Sequence, residues 1–328
     1  MNIVQWPDIK STPLKVMGVG GGGGTAVNYM YLHGIHGVSF AVCNTDAYAL
    51  DLSPVPEKIQ MGNQDICCYP ESGKKAALES SDKIRKSLGT GTEMLLLVAG
   101  MGGCTGSGAT PVIARVAKEL GILTVAVVTT PFFFEGSNVI RQAKVSINEL
   151  KNHVDSLIII NNEKMHEVYG ELTISKIFRK SDQMLMMAVK SIAEMITIQG
   201  VFNIDLKDVK TILSNSGITV AGSGSASGKN RARNAVENAL HSTLFYNNYN
   251  INDARRIMFK VMSGSGKNEL IMDEASEILK VVTGSNNKAS LIWGAGIDES
   301  LGDAISVNII ITDFISNQNL INVNHNNQ

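Results

Sequence analysis

The stretch Gly100-Met101-Gly102-Gly103-Cys104-Thr105-Gly106-Ser107-Gly108 decides the fold of this chain of 328 residues. It follows the continuous apolar run Met94–Ala99, as in a strand covered on both faces, and precedes the amphipathic segment Pro111–Leu120. Glycines let backbone N–H groups approach a phosphate closely, and a helix that starts there adds its positive end. The stretch therefore predicts a phosphate-binding loop, to which Thr105 and Ser107 add hydroxyl donors.

A second glycine-rich stretch, Gly18–Gly24, contains the pattern Gly-x-Gly-x-x-Gly. It joins the short apolar strand Leu14–Gly18 to a predicted helix over Ala26–Leu32. The pattern alone also fits a dinucleotide-binding fold, which needs an acidic residue about twenty positions later. Asp46 comes later than that, and such a fold has no use for a second glycine loop. A nicotinamide-dependent oxidoreductase is therefore the weakest of the alternatives.

Strands and helices alternate along the first half of the chain. Beyond the two strands already named, apolar runs at Val38–Cys43, Thr124–Val128 and Leu157–Ile160 predict further strands, and Val139–His153 predicts a helix. This alternation is typical of an α/β, doubly wound parallel sheet. Both glycine stretches follow strands of that sheet, so they meet at one edge and predict a nucleotide site there.

A long helix and a second domain are predicted after the sheet. Apolar side chains recur at three- and four-residue spacing from Ile174 to Thr197, and Gly200 ends the pattern. Later strands (Ile257–Val261, Ser306–Ile311) and helices (Asn234–Leu244, Asp273–Val281) indicate a smaller α+β domain. We therefore divide the chain into a nucleotide-binding domain (1–173), a central helix (174–200), a C-terminal domain (201–316) and a frayed tail (317–328).

Composition excludes several classes of partner. The formal net charge of -1 argues against a nucleic-acid partner, which needs a basic face. No apolar run is long enough to span a bilayer, and Met1–Thr12 does not resemble a secretory signal. The four cysteines lack metal-ligand or disulfide spacing, which predicts reduced thiols in a cytoplasmic protein.

These motifs together resemble the tubulin superfamily, and within it the FtsZ family of bacterial division proteins that polymerise. The resemblance runs in order over roughly residues 14–314. The segments that carry it are Lys15–Gly24, Asn44–Asp46, Gly102–Gly108, Pro131–Gly136, Asn203–Val209, Gly228–Ala232 and Asp298–Asp303.

The resemblance implies a GTP-binding domain, a long central helix and a smaller C-terminal domain, with GTP or GDP bound. Mg²⁺ would be held mainly by the phosphates and water, with no protein metal ligands. Glu135 would face the ribose, Phe178 would stack on the guanine, and Asp182 would accept from its N1 and N2 hydrogens. The full set of nucleotide-binding residues implied is Gly20, Gly21, Gly22, Gly23, Gly24, Thr25, Asn44, Gly102, Gly103, Cys104, Thr105, Gly106, Ser107, Gly108, Glu135, Asn162, Phe178 and Asp182.

The resemblance also implies an unusual catalytic arrangement. Asp205 and Asp208, with Asn203 beside them, would act on the nucleotide of the next subunit in a head-to-tail filament. On their own, two such carboxylates on a polar loop are most simply solvated surface charges. Repetition of a head-to-tail contact gives an open filament. The implied protein is a GTPase at the cytoplasmic division site, with itself and other division-ring proteins as partners and without direct membrane insertion.

Three departures from the family pattern lie at the phosphate end. A shorter Asn63–Glu71 follows Gly62 where a glycine–alanine-rich loop is expected, Cys104 replaces a glycine, and Val139 replaces an arginine, with Arg141 two residues on. If position 104 needs a positive φ, a cysteine there stores strain. We therefore expect guanine recognition with slowed hydrolysis. The alternative is a structural paralogue that binds GTP and assembles or co-assembles with little or no hydrolysis.

The chain ends soon after Phe314, before the linker and C-terminal peptide common in the family. The sequence leaves two interpretations open, a truncated chain or a protein that cannot recruit membrane-anchoring partners itself.

Overall fold

The computed structural model describes residues 12–35, 37–62, 69–89, 91–198, 200–242, 251–284 and 288–315. The ten strands of these residues are β1 (Leu14–Val19), β2 (Ser39–Asn44), β3 (Glu57–Gln60), β4 (Met94–Gly100), β5 (Leu123–Thr129), β6 (Ser156–Ile160), β7 (Gly217–Ala226), β8 (Ala254–Ser263), β9 (Ser290–Ile297) and β10 (Ile305–Phe314). Their helices are α1 (Gly20–His33), α2 (Ala47–Asp51), α3 (Pro70–Glu79), α4 (Ser81–Leu88), α5 (Cys104–Glu119), α6 (Ser137–Leu150), α7 (Asn162–Tyr169), α8 (Ile174–Thr197), α9 (Leu206–Leu213), α10 (Arg231–Ser242) and α11 (Met272–Thr283).

The first six strands form a parallel sheet in the order β3-β2-β1-β4-β5-β6. The chain moves outward in one direction from β1 and then in the other direction from β4, so the topology reverses between these two strands. Ligands of open α/β sheets bind outside the carboxyl ends of the strands at such a reversal. Both glycine-rich stretches begin at the carboxyl ends of β1 and β4, and the predicted doubly wound α/β fold is confirmed.

Helices cover both faces of this sheet. On one face, α1 and α8 pack over the strands, and on the other α5 lies between α4 and α6. Strands β4, β5 and β6 are buried almost throughout, which explains their continuous apolar sequences. Each face therefore has its own hydrophobic core, and the site at the sheet edge is supported from both sides.

The helix α8 runs across the sheet from its carboxyl edge to its amino edge. Phe178, near its start, contacts Phe132, which lies just beyond β5. Thr197, at its end, packs on Gly37, which precedes β2, because a Cβ on Gly37 would lie 2.7 Å from Thr197 Cγ2. A helix of 24 residues is about 36 Å long. The two ends of α8 thus belong to opposite edges of the sheet.

The second half of the chain adds four strands in the order β7-β10-β8-β9. Strand β10 is antiparallel to β7 and β8, whereas β8 and β9 are parallel. The helices α10 and α11 pack together beside this sheet. A short parallel pairing, Ser156 with Gly217 and Leu157 with Ile218, joins it to the first sheet. The ten strands therefore form one mixed sheet.

Two predicted boundaries near the glycines are wrong in an informative way. The glycine run was expected to be a loop, but residues 20–24 are the first residues of α1, and α5 begins at Cys104 rather than near Pro111. Glycine disfavours helix by about 1 kcal/mol per residue relative to alanine. Close backbone packing of these helix starts, described below, overrides that preference.

Candidate nucleotide site

The two glycine-rich segments meet backbone to backbone. A Cβ on Gly23 would lie 2.2 Å from the carbonyl oxygen of Val98, and one on Gly106 would lie 2.3 Å from that of Gly100. A Cβ on Gly20, whose φ is +71°, would lie 2.9 Å from the backbone nitrogen of Gly106. No side chain fits at these positions. These three glycines therefore serve packing between α1, β4 and α5, and their contacts set the shape of the site.

Other glycines of the predicted set face open space. A Cβ on Gly21, Gly24 or Gly103 would meet no described atom within 4 Å. Gly21 and Gly103 are exposed at the starts of α1 and α5. Their backbone N–H groups are thus the ones that a bound phosphate can approach.

Three helix N-termini converge here. The start of α3 packs on the start of α5, since a Cβ on Gly108 would lie 1.9 Å from Pro70 O and one on Gly73 would lie 2.5 Å from Cys104 O. No described side chain caps α1, α3 or α5, and neither α1 nor α5 has an acidic residue in its first turn. The uncapped N–H groups and the positive ends of these helices make a site for an anion.

The hydroxyl groups predicted to donate to phosphate are partly used inside the protein. Ser107 Oγ accepts from the backbone N–H of Gly102 at 2.7 Å, and Thr105 Oγ1 lies 2.9 Å from Thr45 Oγ1. Asn44 Oδ1 accepts from the N–H of Thr45 at 2.9 Å. All of these side chains are buried. Their described contacts shape the loops, while the open glycines offer the donors.

Cys104 is not strained. The described non-glycine residues with positive φ are Asn215, Asn230 and Asp313, and the positive φ in this loop, +111°, falls on Gly102. Cys104 is the first residue of α5, where a side chain is tolerated. It is disulfide-bonded, so the expected reduced state is wrong at this residue, whereas Cys43 is a free, buried thiol. The proposed strain at position 104 is therefore corrected.

Val139 packs directly on the glycine loop. A Cβ on Gly102 would lie 2.5 Å from Val139 Cγ1, so the valine lies against the bare backbone of Gly102. Arg141 donates to Asn138 Oδ1 at 3.1 Å, a contact within its own helix. An apolar side chain thus occupies the place next to the loop where the family pattern has a cation. Of the segment after Gly62, residues 63–68 lie outside the described residues.

Aromatic and acidic side chains meet where α8 begins. The ring of Phe178, 42% exposed, lies edge-on to Phe132 at 5.2 Å and to Phe134 at 6.3 Å. One turn further along α8, burial raises the pKa of Asp182 to about 6. A partly buried carboxylate beside an exposed ring can accept from a planar base that stacks on that ring.

Asn162 and Glu135 are held close to this end of the site. Asn162, nearly buried at the start of α7, accepts from Ser181 Oγ at 2.8 Å, which leaves its amide hydrogens for another partner. Glu135 lies in a short 3₁₀ turn and accepts from the N–H of Phe132 at 2.7 Å. One of its carboxylate oxygens thus fixes the turn. An open cleft borders α1 and is lined in part by Gly21, Thr25 and Asn44.

The predicted catalytic carboxylates form a capping box. Asp205 accepts from the N–H of Asp208 at 2.9 Å, and Asp208 accepts from the N–H of Asp205 at 3.0 Å, at the start of α9. Asn203 Oδ1 accepts from the N–H of Gly200 at 2.6 Å. Each carboxylate keeps one oxygen outside these bonds. The box is a sufficient structural reason for both aspartates.

This acidic segment (residues 200–208) lies far from the glycines of the same chain. It follows the far end of α8, and on α9 Lys210 pairs with Glu93 at 2.9 Å, just before β4. The segment is therefore at the amino edge of the sheet, about one length of α8 from the carboxyl edge. A single chain does not bring its own aspartates to its own glycine loops.

Sequence reasoning missed the contribution of α3 and of Phe132 and Phe134. Gly73 within an otherwise polar helix was the available signal for close packing of α3 on α5. The described residues contain no cluster of His, Cys, Asp and Glu side chains that fits a metal ion. Within the same residues, no helix has the length and apolar character needed to cross a membrane.

Two family models match the chain. The Tubulin/FtsZ family GTPase domain matches residues 13–170, and the FtsZ family C-terminal domain matches residues 217–315. The chain is 41% identical over 307 residues to the cell division protein FtsZ of Porphyromonas gingivalis, covering 92% of this chain and 67% of that protein. It is 39% identical over 309 residues to FtsZ of Coxiella burnetii, covering 92% and 79%. A solved structure of an empty FtsZ dimer from M. jannaschii matches with a TM-score of 0.82 at 34% identity, covering 92% of this chain and 88% of that one.

Proposed function

The chain belongs to the FtsZ family of tubulin-like cell-division GTPases. On that premise we propose which of its residues bind the nucleotide and which act on the nucleotide of a second copy. Family membership makes it an enzyme that binds GTP and GDP and hydrolyses GTP. We propose that one copy binds the nucleotide and that a second copy completes the hydrolysis. The observation that carries this proposal is the convergence of three uncapped helix N-termini at the point where the sheet topology reverses.

The nucleotide would lie along the carboxyl edge of the sheet. Its phosphates would take the open N–H groups of Gly21 and Gly103, with Gly24 lining the same space and Mg²⁺ held by phosphate oxygens and water. Its base would stack on Phe178 and donate two hydrogen bonds to Asp182. A carboxylate selects guanine in this way because adenine lacks the N1 and N2 donors. Glu135 would face the ribose, and the free amide of Asn162 adds a donor near the base.

Hydrolysis would need a head-to-tail contact between copies. Asp205 and Asp208 lie at the opposite edge of the sheet from the glycine loops, so a second copy must present them to the γ-phosphate. There they would orient and polarise the attacking water, while the helix N-termini stabilise charge on the phosphoryl group. Repetition of this contact gives an open filament. The protein would act in the cytoplasm at the division site, with itself and other division-ring proteins as partners.

We expect GTP turnover to be slower with Val139 than it would be with an arginine at this position. The contact of Val139 with Gly102 places a methyl group where a guanidinium could otherwise meet phosphate charge. Cys104 no longer supports this expectation, because it is helical and unstrained. The proposal is therefore a working GTPase of reduced rate.

The test is GTP turnover per subunit as a function of protein concentration, with electron microscopy of the same samples. We expect a concentration threshold below which turnover is nearly absent and above which filaments appear with GTP. Turnover per subunit that is the same at every concentration would contradict the two-copy site. The same chain with saturable NAD binding and no GTP binding would contradict the nucleotide assignment.

A further inference from the structure

The carboxyl-terminal end of α8 is closed by a lysine from the second half of the chain. Lys260, in β8, is 1% exposed, and its Nζ donates to the carbonyls of Glu194 at 3.1 Å and Met195 at 3.3 Å and also to that of Ile198. The carbonyl of Glu194 also accepts from the N–H of Ile198 at 3.3 Å, whereas the carbonyls that follow it in a helix end have no intrahelical partner. An ammonium has three protons, so its donors match these three acceptors in number.

Packing does not explain a lysine at this position. Burial lowers the pKa of Lys260, which means that the protein destabilises its charged form. The carboxylate of Glu194, which pairs with Lys190 at 3.5 Å and accepts from Asn308 Nδ2 at 3.3 Å, opposes this lowering of the pKa, and the negative end of α8 also favours the ammonium. A methionine would fill similar space without the cost of burying a charge. The lysine therefore donates hydrogen bonds to carbonyl groups, which an apolar side chain cannot do.

The hydrogen bonds of Lys260 restrain the chain just before the acidic segment begins. Ile198 lies two residues before Gly200, which packs on β9, since a Cβ there would lie 2.3 Å from Ala295 O. Phe202 then exchanges two backbone hydrogen bonds with Ala295, at 3.0 and 3.1 Å. Strand β9 pairs with β8, with Gly294 opposite Lys260. The end of α8 and the acidic segment are thus held by the same two strands.

We propose that Lys260 is a positioning residue for GTP hydrolysis. By holding Ile198 it fixes where residues 200–205 leave α8, and so fixes the geometry in which Asp205 and Asp208 meet the nucleotide of the next copy. This inference rests on the proposed function. Because the lysine touches no part of the nucleotide site of its own chain, it affects the rate of the chemical step and leaves nucleotide binding unchanged.

The experiment compares the full chain with Lys260→Met, and with Lys190→Met as a matched control that removes a half-buried lysine from the last third of the same helix. We expect Lys260→Met to lower kcat about tenfold through misplacement of the acidic segment. Its KM, its affinity for a fluorescent GTP analogue and its assembly threshold should stay within about twofold of those of the unchanged chain, and Lys190→Met should match that chain in all four. A kcat for Lys260→Met equal to that of the unchanged chain would overturn the proposal.

Hydrogen exchange at the amide of Phe202 separates this inference from the proposed function. We expect Lys260→Met to reduce protection of that amide about tenfold, because the segment opens more often. If the unchanged chain shows no turnover, the proposed function fails, yet the exchange result still decides whether Lys260 holds the segment. Should Lys260→Met not fold, Lys260→Gln keeps one donor group and should show intermediate protection and turnover. Full protection and full turnover in that variant would also overturn the proposal.

Discussion

The two ends of the proposed active site are built on different principles. At the carboxyl edge of the sheet, glycine backbones pack on one another so closely that Gly23 and Gly106 have no room for a side chain. At the amino edge, Asp205 and Asp208 satisfy each other's backbone in a capping box and lie near the surface. In the proposed site, the residues that would bind phosphate all come from one chain. The aspartates of the acidic end could take part in catalysis only when a second copy places its nucleotide beside them.

The largest expected effect comes from a substitution in the acidic segment, which should lower GTP turnover without changing the phosphate end. Asp208→Ala should lower GTP turnover by about 100-fold or more, because a carboxylate that acts on the attacking water is lost. Nucleotide affinity should be unchanged, since in the proposed arrangement Asp208 acts on the nucleotide of the neighbouring copy. Steady-state turnover and equilibrium binding of a fluorescent GTP analogue measure the two quantities. The loss of one capping partner costs stability by about 1 kcal/mol.

Lys207→Ala, next to Asp208 on the same helix, is the control and should retain full turnover. Loss of nucleotide binding in Asp208→Ala would show that the acidic segment belongs to the site of its own chain.

A second pair of variants separates packing glycines from binding glycines at the phosphate end. Gly23→Ala places a methyl group against Val98 O and should destabilise the fold by about 3 kcal/mol. Gly24→Ala, in the same helix, meets open space and should keep the fold, with a gain of up to about 1 kcal/mol from helix propensity. In the proposed site its methyl group would face the phosphates and should weaken GTP binding. Denaturant unfolding and nucleotide titration give both numbers.

Equal stability of the two alanine variants would mean that the helix starts are not packed as described.

A smaller effect concerns base recognition and its pH dependence. Burial raises the pKa of Asp182 to about 6, and the ionised form is the one that accepts both guanine donors. As the pH falls below about 6, GTP affinity should therefore drop by about tenfold per pH unit. The stability of the protein without nucleotide changes in the opposite direction. Its free energy of unfolding rises as the pH falls through about 6, because the folded protein holds the proton on Asp182 more tightly than the unfolded chain does. Titrations between pH 5 and pH 8 at fixed ionic strength measure this.

Asp182→Asn should lose about 100-fold in GTP affinity and should no longer show the pH dependence. The asparagine amide can donate where the carboxylate accepted, so xanthosine triphosphate should bind better than GTP. An Asp182→Asn variant that still prefers GTP would remove Asp182 from the base site.

The smallest effect concerns the valine on the glycine loop. Val139→Arg should raise kcat by about threefold, because a guanidinium next to Gly102 can meet charge on the phosphoryl group. Arg141→Ala, two residues on, should leave kcat unchanged, since Arg141 contacts Asn138 within its own helix. A rate for Val139→Arg no higher than that of the unchanged chain would mean that position 139 does not limit hydrolysis.

Regular elements with strong periodicity were predictable from the sequence. The predicted central helix (174–200) corresponds to α8, which begins at Ile174 as predicted and ends at Thr197. The predicted strands that begin at Met94 and Leu157 match β4 and β6 within one residue. Strands β7 and β9 were not predicted, because glycines and serines interrupt their apolar pattern. In β9, Gly294 leaves room for the backbone of Phe202, a contact between segments far apart in sequence.

The sequence by itself determined the parallel sheet, the long helix and the two glycine-rich segments that follow strands of the sheet, because periodicity and residue type act locally. Only the tertiary structure decided which glycines pack and which are open, that Cys104 begins a helix without strain, and that Lys260 holds the end of α8. It also placed Asp205 and Asp208 at the opposite edge of the sheet from Gly21 and Gly103. These outcomes depend on contacts between backbone atoms that are far apart in sequence, and local sequence patterns do not predict such contacts.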